Sequence, residues 1–359
     1  MIEKVKRIKQ QQEENKPYFI KIDVPHFNKY YTGLTKGEIF ILTAATGGGK
    51  TSFSKYLFVI KAIESAIKYN IDYKCIYFAL EETEEQFMAS LYSYFIFTQC
   101  GLSYNVKDFN GMTVDDNNKI ITISEEMIKA IEKVKPLVDQ YMSYVELITQ
   151  SLTPAYILKW VREFAEKEIK FTAISEEGLV VPMSIKEAET KKYHEKIIDP
   201  NKFRTVVVDH VGNIASKDKF NSIAELAHYG RAYMASLYEY NVVYVQQQTK
   251  DKGTAENKKA NMVWASIDGL ANYKALSDDA HTIIGITNPN TYGINRIGPT
   301  NNIKVESYGD NLRVVEILKN RYGSVNKQMV FGFLGKVNYI EPFPIDEKTF
   351  DLTTSKFLV

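Results

Sequence analysis

Apolar positions change their period along the chain, and each change marks an element. "GEIFILTA" (37–44) is a continuous apolar run, as a strand covered on both faces requires. A glycine-rich turn follows it. Phe53, Leu57, Ile60, Ile63 and Ile67 then recur at helical spacing to about Tyr69. "KCIYFAL" (74–80) reads as a second buried strand, followed by the acidic "EETEE" and a helix to about Phe97. Residues 101–123 are polar and loop-like. Residues 124–142 are helical in pattern, with Pro136 either kinking that helix or dividing it. "YVELITQ" is a strand, and Thr153 before Pro154 is a helix start whose apolar face carries Ile157, Trp160, Val161 and Phe164.

Residues 170–202 break this rhythm. They hold "AISEEGLVVPMSIKEAETKKYHEK", rich in charge, with glycine and proline, and read as an insertion made of a hairpin and a short helix. The rhythm returns with "TVVVDH" (205–210), a helix at about 222–239, and the strand "NVVYVQ" (241–246). Further strands fall at 282–287, 313–319 and 328–334, the last two forming a C-terminal β-hairpin. Ahead of all this, Ile2, Val5 and Ile8 make a narrow apolar stripe on a charged segment. Residues 1–17 thus read as an amphipathic arm that docks on another subunit, or as a frayed terminus; 18–359 is the main domain.

Buried strands alternating with helices define an α/β fold with a mostly parallel sheet and helices on both faces. In such sheets ligands bind beyond the carboxyl ends of the strands. The polar residues at those ends are the loop 44–51, Glu81, Asp209 and Gln247.

Composition narrows the class. With a net charge of +1 over 359 residues, the chain offers a polyanion no generally basic body, only local basic surface. Its two cysteines, Cys75 and Cys100, and five scattered histidines lack zinc or disulfide spacing, which suits a reducing compartment. The charged N-terminus is no signal peptide, and no run approaches the roughly 20 apolar residues that span a bilayer. A cytoplasmic location, without a membrane partner, is expected.

The residues at the strand ends suggest phosphate chemistry. "AATGGGKT" matches G-x-x-x-x-G-K-[ST] except that Ala44 stands at the first glycine. Ala44, Ala45, Thr46, Gly47, Gly48, Gly49, Lys50, Thr51 and Ser52 are therefore the candidate nucleotide-binding residues, for ATP. Backbone N–H groups and the helix start would hold phosphates, Lys50 would neutralise them, and Thr51 would bind Mg²⁺. Asp209 would hold the Mg²⁺ through water; otherwise it is a strand-end cap. Glu81 directly abuts its strand and suits the polarisation of water, while Glu82, Glu84 and Glu85 read as an acidic helix start. The Gln247 amide could contact a γ-phosphate. Lys319 and Arg321 share one side of a late strand end, solvated or able to reach a neighbour's γ-phosphate. The basic segment "KDKGTAENKKAN" (250–261), with Lys250, Lys252, Lys258 and Lys259, reads as a solvated loop or one contacting nucleic-acid phosphates.

Taken in order, these segments resemble the DnaB-like replicative helicases, hexameric rings built on a RecA-like P-loop ATPase core. "GLTKGEIFILTAATGGGKTSF" is similar to the family's first core strand and phosphate loop, where alanine often replaces the first glycine. "FALEE" is similar to its S-L-E-M segment, "VVVDHVGNI" to its Walker B strand, "VQQQTK" to S-Q-L-N-R and "LKNRYG" to K-x-R-x-G. The resemblance implies Glu81 as catalytic base, Gln247 as γ-phosphate sensor, and Lys319 and Arg321 as residues acting across a subunit interface. It further implies an ATP-hydrolysing 5′–3′ DNA helicase acting on single-stranded DNA, a homohexamer or other ring, and a primase or helicase loader as partner. Departures accompany it. Only 1–17 precedes the core, 170–202 is longer than the family's connection, His210 replaces the usual tyrosine, and Ser90 stands where an arginine is common. The first DNA loop, "ASKDKFNS" (215–222), offers only Lys217 and Lys219. The compact arm-plus-core form suits a phage-encoded enzyme in a host cell. A RecA-type ATPase of recombinase or regulatory kind, or a nucleotide-gated assembly protein, are the alternatives.

Overall fold

A computed structural model describes residues 2–13, 19–25, 27–31, 33–114, 118–249, 263–298, 302–343 and 357. At its centre is a nine-stranded sheet. In chain order its strands are β1 (Ile39–Ala44), β2 (Asp72–Ala79), β3 (Val145–Ile148), β4 (Lys202–Asp209), β5 (Asn241–Gln247), β6 (Thr282–Thr287), β7 (Leu312–Asn320), β8 (Lys327–Leu334) and β9 (Tyr339–Pro342). Their spatial order is β9-β8-β7-β6-β1-β5-β4-β2-β3. From β6 to β3 all neighbours run parallel. Strands β7, β8 and β9 extend that sheet as an antiparallel meander. This is the mostly parallel sheet expected from the alternating pattern.

The apolar run of β1 is explained by its place in the middle. Phe40, Leu42 and Ala44 pack on one face with Phe53, Leu57, Phe87 and Val134. Ile39 and Ile41 pack on the other with Val161, Ile223, Leu226 and Met234. Side chains alternate between faces, so a strand covered twice must be apolar at every position. The turn after β1 consequently opens in the centre of the sheet edge, flanked by the ends of β5 and β6.

Several local expectations are corrected. Of the two alternatives at Pro136, division of the helix is excluded, since it runs unbroken over Glu125–Met142. Pro136 and Glu132 are both exposed, so water can serve the carbonyl that proline leaves without a donor. The helix expected from 222 begins at Lys219, because the Asp218 side chain caps it by accepting from the Asn221 N–H at 3.2 Å. It continues through a π-helical stretch, Gly230–Leu237. The insertion holds its hairpin and short helix (Ile185–Thr190) and one strand more, Glu195–Ile198, which pairs with Ile169–Ile174. The C-terminal hairpin gains β9, hidden in the sequence by Pro342. On an edge strand the missing proline N–H costs nothing. The N-terminal segment forms a helix, Ile2–Glu13, whose Ile2 and Val5 remain 70% and 56% exposed. Among the described residues no helix is long and apolar enough to cross a membrane.

Candidate active site

Strand β1 ends at Ala44, and the chain turns sharply before the helix that starts with Lys50–Ser54. That helix continues through Lys55–Lys61, wound as π-helix, into Ala62–Tyr69. Gly49 sits at its N-cap with φ 92°, a left-handed conformation that favours glycine, and offers no capping side chain. The N–H groups of the first turn are thus left for a ligand. The triple glycine and Ala44 belong together. A Cβ on Gly48 would lie 2.7 Å from the Ala44 Cβ and 2.9 Å from the Ala45 carbonyl oxygen. The loop folds back on the strand end so tightly that both sites must stay small.

Lys50 is only 8% exposed, and its ammonium makes no hydrogen bond or ion pair with a described residue. A buried cation without a partner is costly unless an anion joins it. This group, with the uncapped helix start, fits a polyphosphate.

Thr51 and Asp209 come together at the carboxyl edge. The Thr51 hydroxyl lies 3.4 Å from Asp209 Oδ1. Asp209 is buried at the end of β4, and the Tyr77 hydroxyl donates to its Oδ2 at 2.7 Å. Burial raises its carboxyl to about 6, against the opposing Tyr77 hydrogen bond. An oxygen-only pair of this kind suits Mg²⁺, which keeps much of its water and takes few protein ligands. Bound there, Mg²⁺ would neutralise phosphate charge.

Glu81 stands beyond the end of β2, beside Asp209 on β4: Leu80 N–H donates to the Asp209 carbonyl at 2.7 Å. Its carboxylate is held by His210, whose Nε2 lies 2.6 Å from Glu81 Oε1. Nδ1 of that ring accepts the Gly212 N–H at 2.8 Å. Burial holds the imidazole below its usual range, against the pull of Glu81. A neutral imidazole accepting at Nδ1 carries its proton on Nε2 and donates it to Glu81. The His210 ring thus holds the Glu81 carboxylate in place.

Gln247, at the end of β5, donates from Nε2 to the Thr46 hydroxyl at 2.6 Å, so it touches the loop directly. Ser52 is different: its hydroxyl is taken by Asn338 at 2.8 Å. Only its backbone remains for a nucleotide.

Lys319 and Arg321 do not join this group. Strand β7 runs against β6, which pairs Ile283 with Lys319 while Ile286 of β6 pairs with Ala44 at the other end. The two cations therefore lie at the amino edge of the parallel strands, opposite the chain's own phosphate loop. There Lys319 donates to the Ser277 carbonyl at 2.7 Å and Arg321 to that of Asp278 at 3.1 Å. Of the nucleic-acid residues, Lys217 is exposed before the helix, while Lys219 lies in its first turn. The expected loop 215–222 is therefore half helix. The Lys219 ammonium folds back on the Gly212 and Ile214 carbonyls at 2.9 and 2.5 Å. Lys250, Lys252, Lys258 and Lys259 lie outside the described residues.

Two buried cations near the loop, Lys55 and Arg313, escaped the sequence reading. Lys55 pairs with Glu82 at 2.7 Å, reaches the Ser90 hydroxyl at 2.5 Å and lies 4.5 Å over the Phe87 ring. Glu82 is accordingly no part of a solvated helix start, which begins at Glu84 behind a Thr83–Gln86 capping box. Lys55 thus brings a cation from the loop helix to Ser90. Arg313, on β7, bonds to the loop carbonyls. An arginine in an apolar strand was the available signal.

A phosphate loop, a buried Asp beside its threonine and a glutamate at the neighbouring strand end define a RecA-like P-loop core. No protein-family model and no curated protein matches the chain. Among solved structures it is similar to an isolated ATPase domain of a DnaB-like helicase, with a TM-score of 0.61 at 14% identity, covering 95% of this chain and 98% of that one. It is also similar to a DnaB-like replicative helicase solved for its interactions with primase, with a TM-score of 0.61 at 13% identity. That match covers 90% of this chain and 63% of the other, so this chain spans less than two thirds of that helicase. The chain has the fold of the DnaB-like helicase ATPase domains.

Proposed function

We propose that this chain is an ATP hydrolase of the DnaB-like type, a translocase on single-stranded DNA that works as a ring or other closed assembly. The observation that carries the reading is a division of residues between two edges of one sheet. Lys50, Thr51, Asp209, Glu81 and Gln247 gather at the carboxyl edge. Lys319 and Arg321 lie at the opposite edge, away from the chain's own phosphate loop, and in this reading serve another subunit's site. In this account the loop amides and Lys50 bind the triphosphate. Thr51 and Asp209 would hold Mg²⁺. Glu81, oriented by His210, takes the proton of the attacking water, and Gln247 relays the state of the γ-phosphate to the residues after β5. Lys319 and Arg321 stabilise the transition state from the neighbour, a contribution of roughly 10³–10⁵ in rate for such residues.

DNA contact falls to Lys217 and to the basic segment 250–261. The backbone engagement of Lys219 weakens the first loop, and this favours keeping the regulatory or recombinase ATPase as the second reading. A forked-duplex unwinding assay separates the two. The assembly itself is tested by native mass with and without a non-hydrolysable ATP analogue and single-stranded DNA. A closed oligomer with one analogue per chain is expected. A monomer under all conditions would remove the role given to Lys319 and Arg321.

A further inference from the structure

The phosphate loop is braced from behind by a charge that no local motif announces. Arg313 is 3% exposed and stands near the start of β7. Its Nε donates to the Gly48 carbonyl at 2.8 Å and its Nη2 to that of Gly47 at 3.4 Å. Nη1 donates to the Asp310 and Leu312 carbonyls at 2.7 and 2.6 Å. The guanidinium lies 4.4 Å over the Phe333 ring of β8. A Cβ on Gly49 would come within 3.3 Å of that ring and 3.6 Å of Arg313 Nε. Arginine and ring together form a floor directly beneath the loop.

We propose that Arg313 is a positioning residue for nucleotide binding, which presets the phosphate loop by holding the Gly47 and Gly48 carbonyls away from the phosphate side. The inference rests on the nucleotide reading of the loop. In a trans peptide the carbonyl and the following N–H point in opposite directions. Fixing the Gly48 carbonyl toward Arg313 therefore turns the Gly49 N–H the other way, into the concavity before the helix. Two donors of one planar group hold two successive peptides, a task a flexible ammonium performs poorly. The charge adds to the effect. Among the described residues the hydrogen bonds of Arg313 go to carbonyl dipoles, and it forms no ion pair with a carboxylate. The nearby Asp310 side chain is taken by Asn288 and Asn290. Burial lowers the guanidinium to about 10, which leaves it charged at neutral pH. A buried cation that Asp310 offsets only in part thus sits behind the loop and favours an anion in front of it.

The test measures the Kd of Mg-ADP, the fraction of competent sites by tight-binding titration, and KM against kcat for ATP. Arg313→Gln is expected to weaken ADP binding about tenfold to a hundredfold, the loss set by charge-assisted hydrogen bonds, and to raise KM in step with unchanged competent fraction. Arg313→Lys keeps the charge but lacks the planar fork, so it should recover only a minor part of the loss seen with glutamine. A residue that merely clamps the meander would lower the competent fraction and leave Kd and KM of the surviving sites alone. That result, or full rescue by lysine, overturns the proposal. If Arg313→Gln does not fold, Phe333→Leu keeps the arginine but removes its floor, and a severalfold rise in Kd is expected; an unchanged Kd again overturns it. A wild-type protein that binds no nucleotide refutes the underlying reading, and the inference with it. A wild type that binds while both Arg313 variants bind equally well refutes the inference alone.

Discussion

Replacing Lys55 by methionine tests the link between the loop helix and the turn that carries Glu81. The side chains are of similar length, so packing over Phe87 is largely kept while the charge is lost. Glu82 then keeps a carboxylate whose Oε2 has lost its 2.7 Å partner and whose buried Oε1 already has none. Removing one member of a buried pair costs about 3–5 kcal/mol. The Glu82 side chain is 16% exposed, so some water can reach it, and we expect about 2–4 kcal/mol. Glu82→Gln should cost less, since Lys55 retains the Ser90 hydroxyl and the Phe87 ring. The double variant leaves no unpaired charge and should recover most of the loss. The coupling energy is therefore about 2 kcal/mol, read by urea unfolding of all four proteins with slopes compared. Single-variant losses below about 1 kcal/mol with no coupling would refute the reasoning that this pair is a desolvated strut.

The remaining expectations are as specific. Arg321→Ala should nearly abolish turnover while leaving ATP-analogue binding intact, and mixing it with Glu81→Gln should restore part of the activity through composite sites; normal turnover by Arg321→Ala alone defeats the interface model. His210→Phe should lower kcat more than it changes KM, since the hydrogen bonds of the ring go to Glu81 and Gly212 and not to the phosphate loop, and steady-state kinetics decide this. Glu38 titrates at about 7 in the fold because burial opposes its charge, against an ordinary 4.5. Its contribution is full below about 4.5 and is lost as pH rises through 7. Glu38→Gln should therefore raise the melting temperature at pH 8 and leave it nearly unchanged at pH 4, as thermal scans at both would show.

What the sequence made legible was local or periodic. The loop could be read because strand, glycine turn and helix are contiguous. Glu81, Asp209 and Gln247 could be read because parallel strands deliver their carboxyl ends to one edge. Partnerships across the fold were not legible. Arg313 meets Gly48 across 265 positions, and nothing in the period of β7 encodes that contact. Lys55 meets Glu82 across 27, on different elements, so Glu82 looked like one more acidic residue before a helix. The His210 substitution was visible, but its bond to Glu81 depends on how β4 and β2 are registered. Helix ends moved for a similar reason: the Asp218 cap competes successfully with the loop that the lysines suggested.

The central claim is that nucleotide hydrolysis here is coupled to a DNA strand. Steady-state ATP turnover of the wild-type protein, titrated with single-stranded DNA at low salt, tests it most directly. Turnover should rise with DNA, and the stimulation should fade as salt displaces the phosphate contacts. Turnover unchanged by DNA, with no DNA binding at low salt, would contradict the claim.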